Sequence, residues 1–185
     1  MALEQIGAEM KSGDYRREYA AYRTACERAR YDFLSGATTE PDFVSLDERY
    51  SDLWTHEAVA DLVRAHAGTP EQFETDRTAL RTLARAARLG YAQARAGEVG
   101  AELARCEEVV RVEWSGARWE LREVAALIAD ESDTARRREL VARWLDEMRA
   151  CDDLHAARFE ALNEAARALD GDNYFALLSG AQRNF

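Results

Sequence analysis

The sequence predicts an all-α protein, a single antiparallel bundle or array of helices spanning residues 1–185. Three observations predict it. Apolar residues recur at steps of three and four along almost the whole chain, the signature of helices with one inward face. The composition is that of a helix former: alanine, leucine, glutamate and arginine dominate, β-branched residues are scarce, and Pro41 and Pro70 are the only prolines. No hairpin signal is read between the periodic segments, so no sheet is expected.

Residues 1–13 are expected to form a loosely attached N-terminal segment. A first helix follows in which Tyr15, Tyr19, Tyr22, Cys26, Ala29 and Phe33 make an aromatic-rich seam, and Gly36 stops it. The run Gly36-Ala37-Thr38-Thr39-Glu40-Pro41 reads as a turn, after which Phe43, Leu46, Tyr50 and Leu53 resume the helical spacing. Trp54, Val59, Leu62 and Val63 extend that helix or open a third one ending near Gly68.

Thr69-Pro70-Glu71-Gln72 reads as a helix start, with a hydroxyl N-cap, proline at the first helical position and glutamine placed to close a capping box. The long helix it opens carries Phe73, Leu80, Leu83, Ala87 and Tyr91 inward; Gly97 and Gly100 mark a break before Leu103–Val112. Val112 to Trp119, with aromatics clustered around Ser115-Gly116, is expected to be a loop. Helices are then expected over 120–129, from a Ser132-Asp133 cap through Leu140, Trp144 and Met148, and from Asp152-Asp153 to Gly171. Tyr174 to Leu178 closes the chain as a short turn of helix.

Charge and hydropathy exclude several classes of function. The net charge of -10 repels phosphate backbones and anionic lipid surfaces, so neither nucleic acid nor membrane is an expected partner. The longest purely apolar run, Val124 to Ala129, is far short of the roughly 20 residues of a membrane span. Met1-Ala2-Leu3-Glu4 lacks the basic start of a signal peptide, and the expected compartment is the cytoplasm. Cys26, Cys106 and Cys151 are odd in number and widely spaced, which in a reducing compartment predicts buried thiols and no disulfide.

Few residues arrange themselves for chemistry. His56-Glu57-Ala58-Val59-Ala60 begins like a zinc-peptidase helix, but Ala60 stands where the second histidine must be, and one imidazole cannot make that site. Cys151, Asp152 and His155 share a helical face and are the weak candidates for a metal site, with His66 available as a further ligand. Two Glu-x-x-His motifs, which a di-iron bundle needs, are absent. Arg136-Arg137-Arg138 lies beside Asp130, Glu131, Asp133 and Glu139 and reads as a salt-bridged surface. No catalytic residue, bound metal or cofactor is expected, and the chain is read as leaning away from being an enzyme. The aromatics Tyr15, Tyr19, Tyr22, Tyr50, Trp54, Trp114 and Trp119 are the candidates for lining a groove, because Tyr and Trp combine apolar area with a polar tip.

The segment Ile128-Ala129-Asp130-Glu131-Ser132-Asp133-Thr134-Ala135-Arg136-Arg137, a helix containing Trp144, and then Leu162-Asn163-Glu164-Ala165-Ala166-Arg167-Ala168-Leu169-Asp170-Gly171-Asp172-Asn173-Tyr174 resembles a known family. It is similar to the N-terminal helical region of gluzincin metallopeptidases of the oligoendopeptidase F, thimet oligopeptidase and angiotensin-converting-enzyme kind. The resemblance spans roughly Tyr15 to Leu178 and is most distinctive over Asn163 to Tyr174. It implies a helical lobe that walls a substrate channel. The zinc helix of that family lies downstream of the matching region, so none of its catalytic residues carries over to a position here.

Together these readings predict a non-catalytic binding or accessory protein that holds a peptide, a small molecule or a partner protein chain in an aromatic-lined groove. One alternative is a subunit of a split zinc metallopeptidase whose metal-binding half is a separate chain. Another is an enzyme with an unrecognised site. An open aromatic face also predicts self-association, with a homodimer as one form of it.

Overall fold

A computed structural model describes residues 12–179, and the segment 1–11 of the expected N-terminal arm lies outside the described residues. Nine α-helices, two short 3-10 helices (Ser51–Trp54 and Arg149–Cys151) and one two-stranded sheet are found in the described chain: α1 (Ser12–Leu34), α2 (Phe43–Arg49), α3 (His56–Gly68), α4 (Glu74–Arg95), α5 (Gly97–Val109), β1 (Arg111–Trp114), β2 (Ala117–Glu120), α6 (Leu121–Asp130), α7 (Thr134–Met148), α8 (Asp152–Ala168) and α9 (Tyr174–Ser179). The fold is all-α. None of the described helices is long and apolar enough to cross a membrane.

The chain divides into two compact units, one formed by residues 1–94 with 163–185 and the other by residues 95–162. The first, unit 1, contains α1 to α4, the end of α8 and α9. Its buried residues include Tyr15, Leu53, Val59, Leu62, Leu83, Ala87, Tyr91, Ala166 and Leu177, which recur at helical spacing as the periodicity requires. Two of its helices end alike. At the end of α1, Gly36 takes a positive φ of 76°, while its N–H bonds to Phe33 O and the Ala37 N–H to Asp32 O. At the end of α8, Asp170 takes φ 60° with the same pair of bonds, Asp170 N to Arg167 O and Gly171 N to Ala166 O. Both are Schellman closures. The second carries aspartate where glycine is usual, and that carboxylate raises the pKa of the half-buried Arg88 guanidinium against the larger, lowering effect of burial. Asn163 Oδ1 then accepts the Tyr174 N–H at 3.0 Å and seats α9.

The helix start read at Thr69-Pro70 is displaced, whereas α2 begins at Phe43, where the helical spacing is expected to resume. Thr69 does not cap α4; it closes α3, with its hydroxyl donating to Ala65 O at 2.7 Å and its N–H to His66 O. The helix begins at Glu74, after a turn in which Phe73 N–H reaches Pro70 O at 3.0 Å. A tighter turn precedes α2, where Phe43 N–H reaches Pro41 O two residues back and Asp42 is the cap, accepting from Ser45 N. Proline holds the preceding residue extended, and here its carbonyl closes a short turn before the helix instead of opening it.

Unit 2 holds α5 to α7, the start of α8 and the sheet. Val112 to Trp119 is not a loop: β1 and β2 pair antiparallel, from Arg111 opposite Glu120 to Trp114 opposite Ala117. Ser115 and Gly116 make the two-residue turn with φ of 52° and 81°, the conformation a tight hairpin needs to match the strand twist. Val112, Val124 and Leu140 are its buried centre, packed by Trp114, Trp119, Leu127 and Trp144. A second cluster joins Leu103, Val110 and Cys151, and Leu121 packs against both. The expectation of free buried thiols fails, since Cys106 and Cys151 form a disulfide across 45 residues of chain, and Cys26, which remains free, is only half-buried. The spacing of cysteines along the chain could not reveal that the end of α5 and the start of α8 lie side by side.

Candidate functional site

The seven candidate aromatics fall in both units. Tyr15, Tyr19, Tyr22, Tyr50 and Trp54 gather in unit 1, ring against ring. Tyr15 and Tyr19 stack at 6.2 Å, the Tyr22 ring meets Trp54 edge-on at 5.0 Å, and Tyr50 meets Tyr22 at 5.6 Å. Tyr15 is buried and its hydroxyl donates to Leu53 O at 3.3 Å. Tyr22 donates to Asp47 Oδ1 at 2.8 Å. Burial raises the pKa of both phenols, with Tyr19 adding to the effect on Tyr15 and the Asp47 hydrogen bond to that on Tyr22. Trp54 also lies on Gly90, where any Cβ would overlap the indole. These rings present their edges and faces mainly to one another.

Trp114 and Trp119 stand on the hairpin of unit 2, and the Trp119 indole N–H donates to Trp114 O at 3.2 Å. Beside Trp114 lies a cleft of about 650 Å³ lined by Glu113, Trp114, Ser115, Arg118, Arg136, Glu139 and Arg143, with Gly116 and Ala117 at the turn. Secondary structure dictates this arrangement. Arg136, Glu139 and Arg143 are spaced three and four apart on α7 and so share a face, and the two-residue turn brings Glu113, Trp114 and Arg118 back over that face.

Every arginine of the cleft has a carboxylate. Arg136 Nε bonds Glu131 Oε2 at 2.9 Å while its Nη2 bonds Ser115 Oγ at 3.0 Å; Arg143 reaches Glu139 at 2.8 Å and Arg118 reaches Glu113 at 3.0 Å. The hydrogen bond from Arg136 holds the Glu131 carboxyl below the usual carboxylate range. Asp133 is held low as well, by the Arg136 and Ala135 backbone N–H groups it caps. The predicted salt-bridged surface is therefore present around Arg136, which also lines the cleft. The sequence points to Trp114 as a groove residue and to Arg136 only as part of a salt-bridged surface, and Arg118 and Arg143 go unmarked, because the hairpin that brings them to the indole is not legible in it.

The other constellations come apart. Cys151 is buried in the disulfide and has no thiolate to offer a metal, Asp152 is exposed at the start of α8, and His155 Nε2 lies 3.5 Å from Glu107 Oε1. His66 belongs to unit 1, buried, with its pKa lowered by burial first and by Arg77 and Arg81 next. His56 is exposed, with its ring 6.3 Å from that of Tyr91. Among the described residues no group of three His, Cys, Asp or Glu side chains gathers to hold a metal ion. No family model, curated protein or solved structure matches this chain.

Proposed function

We propose that this protein is a non-catalytic binding or accessory module, and that the cleft between the hairpin and α7 is where it takes its ligand or partner. The observation that carries the reading is the composition of that cleft. Tryptophan and arginine are the residues most enriched where binding energy concentrates, and here one Trp and three Arg surround a cavity of about 650 Å³ within the usual size range of ligand pockets. The resemblance to a peptidase helical lobe fits a peptide or a partner chain as the occupant.

Display of random peptides on the full chain, with counter-selection on Trp114→Ala, tests the reading. Sequences retained by the wild type and lost on the variant are expected. Equal retention by both proteins would remove the cleft from any binding role, and cleavage of a quenched peptide library by the zinc-supplemented protein would overturn the non-catalytic part.

A specific observation favours a protein partner as the occupant of a second surface. Tyr31, Phe33 and Leu34 at the end of α1, and Phe43 and Val44 at the start of α2, flank one turn of unit 1 and are all exposed. Apolar surface of that kind is characteristic of association, with a second copy or with a separate chain such as the metal-binding half of a split zinc peptidase. Sedimentation is expected to give a dimer that Leu34→Asp with Val44→Asp dissociates. A monomer that does not co-sediment with such a half would sink this second reading.

A further inference from the structure

Two guanidinium groups converge on one indole in unit 2. Arg136 and Arg143 stand two turns apart on α7, about 10 Å along its axis, yet their guanidinium carbons lie 5.2 and 5.9 Å from the Trp114 ring centroid. The two like charges are each compensated by a carboxylate, Glu131 for Arg136 and Glu139 for Arg143. The internal carboxylates that serve differ in how firmly they are held. Glu131 is mostly covered, with 16% of its side chain exposed, and it binds Arg136 without itself lining the cleft. Glu139 and Arg143 are 54% and 52% exposed. An exposed pair four residues apart on a helix is screened by solvent and weakly held, so Glu139 is the more readily exchanged counterion of the two. Ser115 adds a hydroxyl already turned toward Arg136.

We propose that the cleft is an oxyanion site in which a carboxylate or phosphate group bridges Arg136 and Arg143 beside Trp114, taking the place of Glu139 on Arg143. The inference rests on the reading of this cleft as the binding surface and names the chemistry it selects. Each guanidinium offers five N–H donors in a planar fork that matches such oxygens two at a time. Stacking on the indole and the bonds to Glu131 and Ser115 fix Arg136 in advance, which lowers the entropy cost of gripping an anion. The net charge of -10 opposes anions on average, so the affinity must come from the guanidinium groups close at hand.

Proton–nitrogen correlation spectra of the full chain, with chloride exchanged for inorganic phosphate or for acetate at constant ionic strength, provide the test. Saturable shifts of the Trp114 and Trp119 indole N–H signals are expected. Saturation by phosphate alone identifies a phosphate-bearing ligand, and saturation by both anions identifies a carboxylate-compatible one. Arg143→Gln and Arg136→Gln are each expected to weaken the response roughly tenfold, and Arg138→Gln, outside the cleft lining, to leave it unchanged. Glu139→Gln is expected to tighten binding severalfold, which a purely structural role for the pair would not produce. Shifts that stay linear in both anions, or equal affinities in Arg143→Gln and Arg138→Gln, would overturn the oxyanion site. Peptide binding lost on Trp114→Ala would still stand in that event, so the two failures are distinguishable.

Discussion

The Cβ position of Gly90 lies within the space of the Trp54 indole, and that single overlap links α4 to the aromatic cluster of unit 1. Gly90→Ala must move the indole off its Tyr19 and Tyr22 contacts or push the helix aside. We expect a loss of about 1–3 kcal/mol, read as a lower urea midpoint, although alanine is the better helix former; an unchanged midpoint would show the ring to be free to swing. His66 gives the residue scale a pH signature. Burial keeps its folded pKa below the unfolded value near 6.5, so its contribution is complete above that pH and is lost as the pH falls through it. Melting temperatures measured between pH 7.5 and 5.5 are expected to fall more steeply for the wild type than for His66→Gln. Glu131 and Asp133 are depressed and act only at lower pH, in the carboxylate range, so they do not blur that window.

At the scale of elements, the hairpin decides whether the cleft exists. Gly116 has φ 81° with open space where a Cβ would stand, so Gly116→Ala pays only the left-handed backbone penalty, about 1–2 kcal/mol. The expected readouts are a lower melting temperature and weakened cross-strand exchange protection at Val112 and Trp119; retention of both would mean that the turn re-forms without positive φ. This element also explains what the sequence concealed. The helices were legible because their buried residues repeat over two or more turns, as Leu83, Ala87 and Tyr91 do in α4. Each strand has only four residues, and Arg111 to Trp114 alternates too briefly to outweigh the helical pattern on either side. Ser-Gly is a permitted two-residue turn, and weighed as such it would have exposed the hairpin. Thr69 misled for a related reason: a hydroxyl before proline suits the end of one helix as well as the start of the next, and which bond it makes is set by the chain around it. The candidate site was half legible. Trp114 follows from residue type, while the arginines beside it depend on a register that only the folded hairpin supplies.

At the scale of the whole molecule, the chain has two compact units stabilised by different means, and the disulfide belongs to one of them. Unit 1 relies on helix packing and stacked rings. In unit 2, Cys106 sits on α5 just before Val110 leads into β1, and Cys151 follows the end of α7, so the crosslink fastens the roots of both walls of the cleft. Closing a loop of 45 residues removes unfolded-state entropy worth about 4 kcal/mol, a large share of the stability of a small domain. Thiol titration of the unreduced protein is therefore expected to find one reactive sulfhydryl, that of Cys26, and three after reduction. Reduction is expected to speed amide exchange at Val112, Val124 and Leu140 in unit 2 while leaving Leu62 and Ala87 of unit 1 close to their original rates. Equal acceleration at both sets would mean that the units open together and that the crosslink stabilises the entire chain. Three sulfhydryls before reduction would show that the pair is not crosslinked in solution.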